Sequence, residues 1–133
     1  MDAKFITASE VSRQRWHDMG DLGVISQSAG TNELVFADLF FAPGDGFNFH
    51  EHPNQTEVLY LMAGSLEAWI EEEQRTIQAG DTLFLPAGTV HACFNVSAAE
   101  ARMFVILAPA IASEELGFEL VDRSGEAPWN ALR

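Results

Sequence analysis

Positive charge is scarce in this chain. Seven Lys and Arg stand against twenty Asp and Glu, a formal net charge of −13 over 133 residues. A surface of that sign repels phosphate backbones and anionic lipid headgroups, which argues against nucleic-acid or membrane partners. Cysteine is scarcer still. Cys93 stands alone, so no intramolecular disulfide can form, as suits a reducing cytoplasm. No apolar run approaches the roughly 18 residues of a membrane-spanning helix. The first residues, MDAKFITASEVSRQ, lack the basic-then-apolar order of a secretory leader. A cytoplasmic location is therefore expected. Linkers, repeats and low-complexity tracts are also missing. What remains is 47 % hydrophobic residues, led in the aromatics by ten Phe, which is globular composition. The length suits one domain over 1–133 with a core that needs no disulfide.

The chemistry concentrates in Gly44 to Gly64, GDGFNFHEHPNQTEVLYLMAG. His50 and His52 are two apart, and a strand sends i and i+2 to one face. Pro53 and Asn54 break that strand. A return strand is then expected to bring Glu57 back beside the two imidazoles. An unpaired carboxylate among Val58, Leu59, Tyr60 and Leu61 would cost several kcal/mol, about a few pKa units, and a cation compensates that cost. Two His and a carboxylate suit iron, manganese or another first-row metal. A second stretch, Gly80 to Asn95, reads GDTLFLPAGTVHACFN and offers His91 after a Pro86–Gly88 turn.

These two stretches resemble the two motifs of the cupin superfamily. The first is met by Gly44, His50, His52, Glu57 and Gly64, the second by Gly80, Pro86, Gly88, His91 and Asn95. Both occur in the family's order, with fifteen residues between them, and cover 37 of the 133 residues. The resemblance implies an all-β fold: a double-stranded β-helix, or jelly roll, with short helical or irregular termini. It also implies one divalent metal (Fe, Mn, Ni or Zn) held by His50, His52, Glu57 and His91.

The flanking pattern agrees with short strands and frequent turns. Strands are expected at 34–41, 47–52, 57–62, 65–70, 75–78, 82–85, 91–96 and 102–107, within a barrel core of about 31–109. Thr7 to Glu10 fits a capping box, which predicts a short helix running toward Trp16 or His17. Ser113 can cap another over 114–118. Glu71 to Glu73 read as a solvated hairpin tip and His17 as a solvated histidine. The tail from Ser124 to Arg133 carries Trp129, which suggests docking on the barrel or on a partner. Strand parity places Asn48, Leu59, Leu61 and Cys93 on the pocket lining, with Cys93 read as a small hydrophobe rather than a thiolate ligand. Asn95 reads as a turn or strand hydrogen-bonding residue.

The barrel region offers only Arg75 and Arg102 as cations, too few for a phosphate or dicarboxylate clamp. No Asp, Lys or further Glu falls in phase with the ligands to serve as a proton shuttle. These features favour a small, largely apolar or weakly acidic molecule and oxygenase-type chemistry. The alternatives are a non-catalytic small-molecule or sugar-binding protein, and a metal-dependent isomerase or lyase. The same parity turns Phe47, Phe49, Val58, Tyr60 and Met62 outward. So much exposed apolar surface predicts a homodimer.

Overall fold

The computed structural model describes residues 2–16 and 19–133. His17, read above as a solvated side chain, lies outside them. The chain forms strands β1 (Arg13–Trp16), β2 (Gly20–Val24), β3 (Val35–Phe41), β4 (Gly46–Glu51), β5 (Thr56–Ala63), β6 (Ser65–Ile70), β7 (Glu73–Gln78), β8 (Thr82–Leu85), β9 (His91–Phe94), β10 (Ala101–Ala108) and β11 (Val121–Asp122). A short helix, α1 (Ile25–Ala29), precedes Gly30, whose φ of 75° closes it in the left-handed region. All pairings are antiparallel. One sheet runs β1-β2-β3-β10-β5-β8, the other β11-β4-β9-β6-β7. This is the all-β, jelly-roll architecture expected of the sequence.

Alternation explains the layering. In β10, Ala101, Met103, Val105 and Leu107 are buried while Arg102, Phe104 and Ile106 are half-buried. In β5, Glu57, Leu59 and Leu61 face the interior. They meet Val35, Ala37, Leu39 and Phe41 of β3, and Phe47, Leu66, Ala68 and Cys93 of the second sheet, in one core. Gly64 turns β5 into β6 with φ 82°, and a Cβ there would sit 2.7 Å from the Glu100 carbonyl oxygen. Asn95 ties the turn after β9. Its Nδ2 donates to the Phe41 and Ala99 carbonyls, and its Oδ1 accepts from Ser97.

The termini differ from expectation. Thr7 to Glu10 yields only a 3-10 turn at Ala8–Glu10, and the segment after it is β1, hydrogen-bonded to β2 from Arg13↔Gly23 to Trp16↔Gly20. Weak apolar periodicity could not hold a helix there. Residues 114–118 form turns rather than a helix. Strands outside 31–109 extend both sheets: β1 and β2 at one end of the chain, β11 at the other.

The larger difference lies in β4. Phe47 pairs with Cys93, but the next register partners are His50 and His91. Two residues of β4 therefore oppose one of β9, a β-bulge. The bulge resets the parity. Phe47 points inward rather than outward, 5.3 Å from the His50 ring and 5.9 Å from that of His91. Asn48 is exposed instead of sharing the inner face with the histidines. Phe49 does face outward, but Trp69, Phe94, Trp129 and Leu132 cover it. Arg133 reinforces that cover, stacking 3.6 Å over Phe94 and pairing with Glu67 at 2.5 Å.

Candidate metal centre

His50 and His91 are register partners on adjacent strands, which sets their rings 4.4 Å apart. His52 follows β4 just before the Pro53 turn, and its ring lies 5.1 Å from that of His50. Glu57 reaches the group differently from expectation. β5 does not return beside β4; it belongs to the opposite sheet, and Glu57 pairs there with Leu107 and Leu85. Its carboxylate crosses the interior to the imidazoles. One oxygen lies 2.7 Å from His91 Nε2, the other 3.4 Å from His52 Nε2. All four side chains are buried.

Each histidine is held in the same way. Nδ1 of His50 donates to the Asn48 carbonyl at 2.7 Å, that of His52 to the Glu119 carbonyl at 2.6 Å, and that of His91 to the Thr89 carbonyl at 2.9 Å. With the proton fixed on Nδ1, each Nε2 presents a lone pair. The three rings offer nitrogen atoms within 4.8 Å of one another. His91 Nε2 and Glu57 Oε1 are buried, adjacent and without hydrogen bonds. Two acceptors at that separation repel unless a positive charge lies between them. The donor set therefore fits a first-row divalent metal.

The electrostatics agree. Burial, then the neighbouring His91, pushes His50 down to about 3, so it stays neutral. Burial also opposes charging of His52, but the Glu57 hydrogen bond and charge outweigh it and raise its pKa. Burial would raise Glu57; positive charge on the imidazole side, at His91 and then His52, outweighs it and lowers its pKa. The carboxylate is thus ionised where a cation faces it, and with the histidine protons on Nδ1 a bound metal is the group that fills that place.

The cluster lines a chamber of about 50 Å³ together with Leu22, Val35, Leu39, Leu59, Val105 and Leu107 and with Met19, Phe47, Phe118 and Leu120. Leu59 lines it. Leu61, one strand step deeper, is packed in the core instead. Cys93 is likewise a core residue with no exposure, and burial, then the charges of Glu57 and Glu67, raises its thiol pKa. It behaves as a small hydrophobe, not a thiolate.

Gln55 is a positioning residue that no local pattern announces. It is 1 % exposed. Its Nε2 donates to the carbonyls of Pro109 and Gly117, and its Oε1 accepts from Glu119 N–H. It thereby fixes the segment whose Glu119 carbonyl orients His52 and whose Phe118 packs 5.9 Å from the same ring.

Known proteins with similar sequences and structures surround this architecture. Oxalate oxidase GF-3.8 of Triticum aestivum is 33 % identical over 77 % of this chain and 50 % of its own length. The polyketide synthase protein CurC of Streptomyces cyaneus is 29 % identical over 81 % of this chain and 70 % of its own. The structure of KdgF from Halomonas sp. superposes with a TM-score of 0.73 at 20 % identity, over 84 % of this chain and 97 % of that one, a likeness of fold. The chain spans about half the length of the oxalate oxidase it matches. A cupin-domain model matches residues 38–107, from the middle of β3 to the end of β10, more than half of the chain. The chain belongs to the cupin family.

Proposed function

We propose that this cupin is a metal-dependent enzyme acting on a small, largely apolar or weakly acidic molecule by oxygenase-type chemistry. One observation carries the reading: His50, His52, His91 and Glu57 converge beside a chamber whose other described walls are aliphatic or aromatic. A divalent metal held by these residues supplies a Lewis acid and, if it is iron or manganese, a redox partner for oxygen. The protein's own part is positional. Three fixed tautomers aim their Nε2 lone pairs, Glu57 balances charge, and the aliphatic walls bind an apolar body while excluding water.

Among the described residues, the chamber wall beyond the cluster itself holds no Lys, Arg, Asp or Tyr. A group that must move protons between carbon atoms finds no base there, which weighs against isomerase and lyase readings. A dicarboxylate finds no cation for its second carboxylate. The oxalate oxidase relatives favour oxalate as a second reading; the chamber favours an oxygen-bearing apolar molecule, in keeping with the relative named as a polyketide synthase protein.

Oxygen uptake by iron- and manganese-loaded protein separates these readings. Uptake with β-diketones, catechols or naphthols, and none with oxalate, is the expected result. Oxalate-dependent uptake would establish the second reading in its place. Binding without uptake for every metal would make the protein a binding module.

A further inference from the structure

The chamber is not the whole space beside the cluster. A groove of about 490 Å³ adjoins it, lined by Trp16, Gly46, Asn48, Asp122 and Ser124. Met19, Phe47, His50 and Leu120 belong to the walls of both. These four residues stand between the two spaces.

The two compartments differ in size and chemistry. The chamber, about 50 Å³, holds only a small terminal group. The groove falls within the roughly 300–1,000 Å³ that suits a drug-sized ligand. Part of its lining is apolar and aromatic: Trp16, packed edge-on to Phe118 with centroids 6.1 Å apart, together with Phe47 and Leu120. Another part of the lining is polar: Asn48, Ser124 and Asp122, whose carboxylate accepts from both the N–H and the hydroxyl of Ser124. No cation lines the groove among the described residues. The strand irregularities supply this wall. The bulge in β4 throws Asn48 outward, and β11, pairing Asp122 with His50, carries the acid to the rim.

We propose that this groove is a second ligand compartment. On this proposal the molecule handled at the histidine cluster is elongated, its reacting oxygen-bearing end in the chamber and a planar, hydroxylated, uncharged body between Trp16 and the Asn48–Asp122–Ser124 rim. Aromatic stacking serves one face of the body and hydrogen-bond acceptance by Asp122 serves its hydroxyls, while the same carboxylate repels anions. The inference rests on the metal-centred reading above but not on turnover.

The test is therefore binding to zinc-loaded protein, which is redox-silent, by titration calorimetry. The probes are acetylacetone, which offers the chelating end alone, and 2-acetyl-1-naphthol, which adds a two-ring body. The naphthol is expected to bind at least tenfold tighter. Ser124→Trp, which fills the groove, should erase that advantage with zinc content unchanged. A sulfonate on the far ring should also erase it, and Asp122→Asn should restore part of the loss. Equal affinities for the two probes in the unaltered protein, or an advantage that survives Ser124→Trp, would overturn the proposal. A tenfold preference without oxygen uptake by the iron-loaded protein would sink the oxygenase reading and leave the groove standing.

Discussion

Removing the Gln55 side chain breaks three hydrogen bonds at once, to Pro109 O and Gly117 O and from Glu119 N. At about 0.5–1.5 kcal/mol each, plus the cost of buried groups left unpaired, Gln55→Ala should destabilise the fold by about 2–4 kcal/mol. It should also weaken metal binding by about 10–100-fold, because the Glu119 carbonyl that orients His52 loses its anchor. Denaturant melts and chelator competition read the two effects separately, and unchanged chelator resistance would mean that His52 needs no such support. Cys93→Ser should keep the metal, since the thiol belongs to the core and not to the chamber wall. At this scale the histidines were readable from spacing because the two-residue step from His50 to His52 lies beyond the β4 bulge and His91 opens an unbroken β9. Gln55 was not, because its partners lie 54 to 64 residues away and are backbone groups, which leave no mark on residue type.

Strand β1 shows how an element can be pinned by charge. Arg13 donates to Asp38, which also accepts from Arg102 at 2.7 Å, and both guanidiniums lie 4.8 Å over the Phe40 ring. Arg15 grips Asp45 with both terminal nitrogens. Burial would raise Asp38, but hydrogen bonds from Arg102 and Arg13 lower it; the Arg15 hydrogen bond lowers Asp45. Both folded pKa values thus lie below the unfolded value of roughly 3.9. Their stabilisation is complete above that pH and is lost as pH falls toward the folded values. The melting temperature should therefore drop as the pH falls below about 4. Asp38→Asn should cost about 1–3 kcal/mol at pH 6, less than a fully buried pair because both arginines are part-exposed, and should flatten that drop. A variant as acid-sensitive as the parent would show that Asp38 is not the group responsible. Elements were legible where alternation ran unbroken, as in β5 and β10. The β4 bulge was not, since an inserted residue changes parity only through its pairing with β9, and two-residue β11 is too short to carry a pattern.

At the scale of the whole molecule, one sheet face carries apolar side chains that remain exposed among the described residues. Register places Phe36, Ile106, Val58 and Phe84 in a row across β3, β10, β5 and β8, with Phe104 and Tyr60 in the next. Phe84 is 65 % and Tyr60 44 % exposed. We expect a second copy to cover this face, since patches of more than a few hundred Å² are rare on monomers and two-fold dimers are the commonest assembly. Light scattering should give twice the 14.6 kDa chain mass, and Phe84→Glu should return it to one; a single-chain mass for the unaltered protein would count against the dimer. Among the described residues no helix is long and apolar enough to cross a membrane. The core of the reading, however, is the buried charge of Glu57 facing three aimed histidines, and elemental analysis of the purified protein tests it most directly. Close to one first-row metal per chain is expected, falling below about a tenth in His50→Ala, His52→Ala and His91→Ala and partly retained in Glu57→Gln, which keeps an oxygen donor while losing the negative charge. Protein that takes up no metal even on reconstitution, or histidine variants that keep a full complement, would contradict it.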